Sequence, residues 1–569
     1  MSSAAEIPPH LRKYVVEQDY AAYTERDQAV WRFVVGHTHQ RLLETAHSSY
    51  ASGFTSAGIS TQRIPELRAM DAHLSELGFR VVCVDGFIPP RAFQAFQARG
   101  VLPVAADMRR AEHLTYTPAP DIIHEAAGHA PFLAHPDYAR FLRRIGAVSE
   151  RAFESARDRA LYRVIHQLSE LKEQPDSTPA QIAAAEAELL ALRRSAHTSS
   201  EATRMARLYW WTVEYGLVGS PAAFQLYGAG LLSSIGEAHF CHDPAVRKLP
   251  LTRACVDVDY DITQAQPQLF VAEDFAQLDS VLSEVEQTLS HVRGGALALG
   301  HALDSEEPAT FTLDAPLTLT GTLRSFDDGL LRLSGACALA SAMQVSGEHP
   351  IPGDGYLLPL GALRDGTPLS ALGVEVLQRH RRGSLLQLRT QGGVEIDGEL
   401  EEIHARDGRL CLLSLRDVRV RRGGELLLEC HDRYPLLLAS RVVTAAPLVP
   451  DGYYPATEYP TVRVPKARCL PGWERGLIAL HQAIGELAGL TPQAGAARGL
   501  EVHAALASFP NEWLLRLNLL ETLLRLRLAG HPLTLQLKRE LLALEAQYQG
   551  REPIATGLEH IASLRAGAR

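Results

Sequence analysis

A helical region, a β-rich region and a second helical region follow one another along this sequence. Three observations predict that order. Apolar residues recur three and four apart up to about residue 300, short alternating runs closed by glycine turns fill 310–445, and helical spacing returns after 466. The 569 residues are about four times a typical single-domain length of roughly 150, so more than one core is expected. A composition of 46% hydrophobic and 21% charged residues is ordinary for a globular protein, and no apolar run approaches the roughly 18 residues of a membrane helix. The start, Met-Ser-Ser-Ala-Ala-Glu-Ile-Pro-Pro-His, has neither the basic nor the apolar part of an export signal, so a cytoplasmic location is expected. With 56 basic against 66 acidic residues the net charge is -10, the wrong sign for a nucleic-acid partner. Seven scattered cysteines without a Cys-x-x-Cys read as buried thiols, not as a disulfide framework or zinc site.

In chain order, helical spacing is clearest over Glu17–Leu43, Ile64–Leu77 and Phe275–Val292. Residues 150–200, rich in Ala, Glu and Arg and broken at Gln174-Pro175-Asp176-Ser177, read as a helical hairpin on the outside of the core. Thr178-Pro179-Ala180-Gln181 starts its second arm with a capping box, and Ile182, Leu189 and Leu192 mark its apolar stripe. From 310 to 445, Gly321, Asp328-Gly329, Gly392-Gly393, Asp397-Gly398, Asp407-Gly408 and Gly423-Gly424 punctuate a small β barrel or sandwich. Two of its stretches are alike: Gly321-Thr-Leu323 with Asp328-Gly329-Leu330, and Gly398-Glu-Leu400 with Asp407-Gly408-Arg409-Leu410, a weak internal repeat. The Arg419–Arg422 run reads as a solvated hairpin edge. Beyond a Pro- and Tyr-rich linker at 447–465, helices are expected over Trp473–Leu490 and Asn511–Leu528. The domains expected are thus 1–305, 310–445 and 466–569, with a boundary of few contacts near 305 and a first domain that folds alone.

The chemistry concentrates in Pro120-Asp121-Ile122-Ile123-His124-Glu125-Ala126-Ala127-Gly128-His129. Two histidines and a glutamate in one helix-like segment suggest a metal. A zinc hydrolase with Glu125 as base would need histidines four apart; these are five apart, about 140° around a straight α-helix at 3.6 residues per turn. Both can face one ion only if the helix is distorted or ends near Gly128. Glu214, in the apolar aromatic stretch Trp210-Trp211-Thr212-Val213-Glu214-Tyr215-Gly216, offers a third ligand. Two imidazoles and one carboxylate on one face are the donor set of non-haem iron(II) oxygenases. The competing readings are satisfied core histidines with Glu214 paired to a basic residue, the zinc hydrolase, and a non-catalytic scaffold with a vestigial core.

Three long stretches carry a resemblance: Tyr116-Thr-Pro-Ala-Pro-Asp-Ile-Ile-His-Glu-Ala-Ala-Gly-His129, Tyr209-Trp-Trp-Thr-Val-Glu-Tyr-Gly216 and Tyr227-Gly-Ala-Gly-Leu-Leu-Ser-Ser-Ile-Gly-Glu237. Over residues 8–300 the sequence resembles the tetrahydropterin-dependent aromatic amino acid hydroxylases, most of all their bacterial phenylalanine-hydroxylating branch, which begins directly with the catalytic domain. The resemblance implies a mainly α catalytic domain and a monooxygenase that uses O2, iron(II) and a tetrahydrobiopterin-like cofactor. It implies His124, His129 and Glu214 as iron ligands. Arg109 and Thr117 would hold the substrate carboxylate, with Asp121 steadying the arginine and Gly230 and Ser233 close by. Pro120, His124 and Trp210 would sandwich the substrate ring. Gly86 to Ile88 and Phe93 would bind the pterin, with Glu125 and Tyr209 as polar groups beside the iron. Taken singly, Arg109 next to Arg110 reads as a solvated pair, Phe93 and Trp210 as core, and Ser233 as a helix hydroxyl bonded to its own backbone.

The sequence departs from the family where the hairpin at 150–200 sets His129 and Glu214 85 positions apart rather than the family's roughly 40, entering near the active-site rim. At Asp259-Tyr260-Asp261-Ile262-Thr263 the apolar Ile262 favours phenylalanine over tyrosine as substrate, while a one-residue shift would bring Asp261 there and tryptophan stays open. The partners expected are an aromatic L-amino acid and O2, with no nucleic acid or membrane, and a second copy of the chain through the C-terminal region. Residues 310–569 resemble nothing recognised.

Overall fold

The computed structural model describes residues 7–566, leaving out 87, 112–113, 115–120, 174–176, 195–198, 263–264, 316, 342–348, 351–354, 375–380, 407–408, 449–471 and 548–551. Its first long helix is Glu25–Thr45, not Glu17–Leu43. Thr24 and Asp27 close a capping box that fixes the start at residue 25, and Tyr20–Ala22 before it form only a 3-10 turn. Of the expected Ile64–Leu77 helix, Leu67–Glu76 forms, beyond Pro65. The stretch Phe275–Val292 breaks into Phe275–Glu286 and Ser290–Arg293. The break falls where the Ser290 amide donates to the buried Glu201 carboxylate (2.6 Å) instead of continuing a helix.

The first region is less purely helical than its sequence predicts. Strands β1 (Val15–Val16), β2 (Arg80–Val84) and β3 (Val101–Ala105) form one small sheet. A second has the order β5-β4-β7-β6, from β4 (Leu217–Ser220), β5 (Ala223–Leu226), β6 (Arg247–Pro250) and β7 (Gln268–Ala272). These strands are two to five residues long, too short for a period-2 pattern to stand out. The hairpin forms as expected, from helices Ala156–Glu173 and Pro179–Arg194 over a small apolar cluster of Val164, Leu168, Ala185 and Leu189. Its break at Gln174–Asp176 lies outside the described residues.

The β region has two sheets around one apolar core. The first contains β8 (Pro308–Leu313), β9 (Leu317–Phe326), β10 (Leu330–Ser341), β11 (His349–Pro350), β12 (Gly355–Pro359) and, from the far end of the region, β18 (Val442–Pro447). The second contains β13 (Leu385–Arg389), β14 (Val394–Arg406), β15 (Arg409–Arg422), β16 (Glu425–Cys430) and β17 (Tyr434–Leu437). The repeat suspected in the sequence occupies equivalent places. Across β8–β9–β10–β12 the register aligns Ala309 with Gly321, Leu323 with Leu333, and Leu333 with Tyr356. Across β13–β14–β15–β17 it aligns Leu386 with Gly398, Leu400 with Leu415, and Leu415 with Tyr434. The two tyrosines stack at 5.4 Å and exchange hydrogen bonds: Tyr356 donates to the Pro435 carbonyl (2.8 Å) and Tyr434 to that of Leu357 (2.9 Å). Asp407 and Gly408 of the repeat lie outside the described residues.

Two features correct the expected boundaries. Helix Gly295–Ser305 packs Ala298, Leu299 and Ala302 into the β core, so packing divides the chain near 294, before that helix. There Gly294, at φ 62°, passes so close to Val443 that a Cβ would lie 1.8 Å from its carbonyl oxygen. The C-terminal helices pack into the first core. Gly472–Leu487, Trp513–Arg525 and Glu552–Ala566 pack with Glu25–Thr45, where Trp513 meets Phe33 edge-on at 5.2 Å. Buried Arg26 faces Glu474 at 3.3 Å and Glu512 at 3.7 Å. Residues up to 305 thus share a core with the C-terminal helices and end in a helix that packs with the β region. None of the described helices is long and apolar enough to cross a membrane.

Candidate metal centre

Histidines five apart face one way because Ile123–His129 is a π-helix, whose i→i+5 hydrogen bonding returns every fifth residue to the same face. Of the two ways the spacing left open, the structure takes distortion of the helix. Asp121 caps the segment, accepting the His124 amide at 3.0 Å, and the turn changes to 3-10 over Ala130–Ala134. Glu214 ends a second π-helix, Trp210–Glu214, which continues helix Glu201–Tyr209. The Tyr215 amide donates to the Trp210 carbonyl (2.9 Å), an i→i+5 bond. Two rare helical forms thus meet at one point, each turning a ligand inward.

The ligand atoms of His124, His129 and Glu214 lie within 4.8 Å of one another. Glu214 places Oε2 3.2 Å from His124 Nε2 and Oε1 3.3 Å from His129 Nε2. Neither ring nitrogen of the fully buried His129 has a hydrogen-bond partner, and Glu125 Oε2, 3.7 Å from His129 Nε2, has none either. A carboxylate between two imidazoles with orphaned buried nitrogens is a donor set that a divalent ion would satisfy. Burial opposes charge on Glu214, yet the two histidines hold its carboxyl well below the usual range. Burial alone would depress His124, but the Glu214 charge outweighs it and raises the imidazole to about 9. Burial keeps His129 low, and burial with the Glu214 and Asp121 charges pushes Glu125 up to about 8.

A short helix, Ala229–Ser233, supports the site from one side. Gly128 meets it directly, since a Cβ there would lie 2.7 Å from the Ala229 oxygen. The Ser233 hydroxyl donates to the Ala229 carbonyl (2.7 Å) and stands 3.0 Å from His124 Nδ1. Its proton is thereby used, so it accepts from Nδ1–H and leaves His124 Nε2 as the ligand nitrogen. Gly230 touches Tyr215 and the Glu214 backbone, with no room for a Cβ.

Arg109 is a buried residue, not half of a solvated pair. Its Nε and Nη2 donate to the two Asp121 oxygens, each at 2.8 Å, and Nη1 donates to the Ser233 carbonyl at 3.2 Å. Burial would raise Asp121, but the guanidinium holds its carboxyl below the usual range. Phe93 lies 5.8 Å, ring to ring, from His129, and Gly86 (φ 65°) and buried Ile88 follow β2. Tyr209 is locked between the two amide atoms of fully buried Gln97, at 2.7 and 2.9 Å. Trp210 is not an open indole: Tyr260 stacks on it at 4.3 Å and 9°, and Tyr215 at 4.6 Å. Thr117 and Pro120 lie outside the described residues.

Sequence reasoning missed Gln97 and Tyr260. Gln97 follows Phe93 by one helical turn on Pro90–Ala98, so both face the same way, and an amide on that apolar face was the available signal. Tyr260 lies in the stretch 259–263 already tied to substrate choice through Ile262, but its own stacking on Trp210 had no local signal.

Residues 12–168 and 177–293 match the profile of the biopterin-dependent aromatic amino acid hydroxylases; the match is interrupted at the hairpin tip and ends at 293. Phenylalanine-4-hydroxylase of Caulobacter vibrioides is 26% identical over 288 residues, 50% of this chain and 80% of that protein. The Pseudomonas aeruginosa enzyme is 27% identical over 49% of this chain and 92% of its own, and that of Dictyostelium discoideum 31% over 44% and 48%. Among solved structures, Chromobacterium violaceum phenylalanine hydroxylase with bound iron(III) and 7,8-dihydrobiopterin is similar at 24% identity, over 48% of this chain and 85% of that one, with a TM-score of 0.38. Over residues 12–168 and 177–293, about half of its length, this chain matches the biopterin-dependent aromatic amino acid hydroxylase family.

Proposed function

We propose that this chain is an iron(II)- and tetrahydropterin-dependent monooxygenase of the phenylalanine 4-monooxygenase type, converting phenylalanine to tyrosine. The observation that carries the reading is the convergence of His124, His129 and Glu214 on one point. Two imidazoles and one carboxylate would hold such an ion from one side and leave it accessible to small molecules. When bound, iron and the reduced pterin supply the electrons that activate O2, one oxygen atom going to the substrate ring and the other to the pterin.

The protein's own groups orient and exclude. Ser233 fixes the His124 tautomer, and the surrounding core keeps bulk water from the ligands. Arg109, held flat by Asp121, is set to read an amino-acid carboxylate with a planar fork. Phe93 gives the pterin a flat apolar face, and Gly86 and Ile88 its backbone turn. Glu125, with Oε2 3.7 Å from His129 Nε2, offers a polar group to an edge of the cofactor. Trp210, carrying Tyr260 and Tyr215, walls the substrate side, and apolar Ile262 on the same loop favours phenylalanine. The test is iron content by metal analysis together with oxygen uptake and tyrosine formation from phenylalanine and a reduced pterin. A chain carrying zinc, with peptidase activity and no pterin-dependent oxygen uptake, would overturn the reading.

A further inference from the structure

The hairpin Ala156–Glu173 and Pro179–Arg194 has a core of its own and sits where the family match is interrupted, yet both of its ends are tied into the molecule. Arg157 joins the two arms through the Leu192 carbonyl (2.7 Å). On one side Arg159 donates to the Ser305 carbonyl (2.6 Å) and faces Glu307 at 3.3 Å, at the entrance to the β region. Asp158 accepts from Thr203 (2.8 Å), on the helix that runs into Trp210–Glu214. On the other side Arg193, in the last turn of the second arm, faces Asp261 at 3.7 Å.

Asp261 belongs to a loop that packs on the π-helix Trp210–Glu214. Val258 is held by Trp211 Nε1 (2.9 Å), Asp259 faces Arg207 at 3.5 Å, and Tyr260 lies flat on Trp210, four residues before the ligand Glu214. A shift of this loop moves Tyr260, and with it the face that Trp210 presents. We propose that the hairpin is a strut that fixes loop 258–262, and that Arg193, acting through Asp261, is a positioning residue that sets the wall of the amino-acid pocket. The inference rests on the hydroxylase reading of the metal centre. Arg193 and Asp261 side chains are 37% and 34% exposed, so their pair adds little stability; its effect is on where the loop rests.

The test is a charge-swap cycle in the full chain: Arg193→Asp, Asp261→Arg, and both together. Measured are KM and kcat for phenylalanine and tryptophan, iron content, and the near-UV circular dichroism to which the Trp210–Tyr260 stack contributes. Each single variant should raise KM for the amino acid about two- to fivefold, the range of an exposed ion pair, with a smaller fall in kcat and a changed aromatic spectrum. The double variant should return both toward the parent. Unchanged KM and spectrum in the single variants, or a double variant no closer to the parent than either single one, would overturn the strut. If the parent hydroxylates no aromatic amino acid, the proposed function fails, and recovery of the spectrum in the double variant still decides whether the pair holds the loop.

Discussion

The metal-bearing region and the β region bury different chemistry. The first takes Arg26, Arg109, Asp121, Glu125, His129, Glu201, Arg207, Glu214 and Glu237 out of water. Among the described residues of 308–447, no acidic, basic or histidine side chain is buried; the buried polar groups are hydroxyls such as those of Thr320, Thr390, Ser414 and the tyrosine pair. Burying charge is expensive unless each group has a partner, so the first region must place unlike residues at unique positions. An apolar core needs only shape and register, which one pattern can satisfy twice, as Gly321–Leu323 and Gly398–Leu400 do.

That contrast can be broken where charge is buried. The largest effect is expected at Glu214→Ala, which leaves two imidazoles to hold the ion; iron content should fall to near zero and hydroxylation with it, by metal analysis and product assay. Retention of iron and activity would remove Glu214 from the ligand set. Next, Arg26→Ala leaves Glu474 buried without this cation and should destabilise the protein by about 3 kcal/mol, read from urea unfolding. Deleting 466–569 should lower the melting temperature further, because it also uncovers Phe33.

Glu201 tests the contrast by pH. Its carboxylate accepts from Ser290, the Phe153 amide and His301. Burial opposes its charge, but His301 and Ser290 hold it below the usual range, while the Glu201 hydrogen bond raises His301. The depressed carboxyl contributes stability above its unfolded value of about 4.3, lost as pH falls through the folded value. The raised imidazole contributes below its unfolded value of about 6.5, lost as pH rises through the folded one. Stability from this pair should therefore be greatest between about 4.3 and 6.5, and Glu201→Gln should flatten the profile and lower it by about 2 kcal/mol.

The smallest effects sharpen the β side. Tyr356→Phe and Tyr434→Phe each remove one hydroxyl that bridges the two halves, and each should destabilise by about 1 kcal/mol. Calorimetric values differing by more than about 1 kcal/mol would mean the halves are not equivalent.

Much of the site was legible because its chemistry is local. His124, Glu125 and His129 sit within six positions, and their five-residue spacing already called for a helix that is distorted or ends near Gly128. The hairpin, its capping box and the β repeat were legible for the same reason, each a pattern complete within a few tens of residues. The break after Glu286, the short strands and the packing of helix Gly295–Ser305 were not, because long-range contacts decided them. The Ser290 amide turns to Glu201, 89 positions away in sequence, and Ala298, Leu299 and Ala302 point toward strands not yet begun.

By itself, then, the sequence determined which residues could bind a metal, that their helix must be distorted or end near Gly128, and that three patterns follow one another along the chain. Only the tertiary structure decided that the C-terminal helices close the first core, that Gln97 and Ser233 each hold a group of the site, and that the hairpin reaches Asp261. The physical reason is range: spacing and capping act over one or a few turns, whereas the partner of a buried polar group is chosen by which surfaces meet, and a linear pattern carries no record of that meeting.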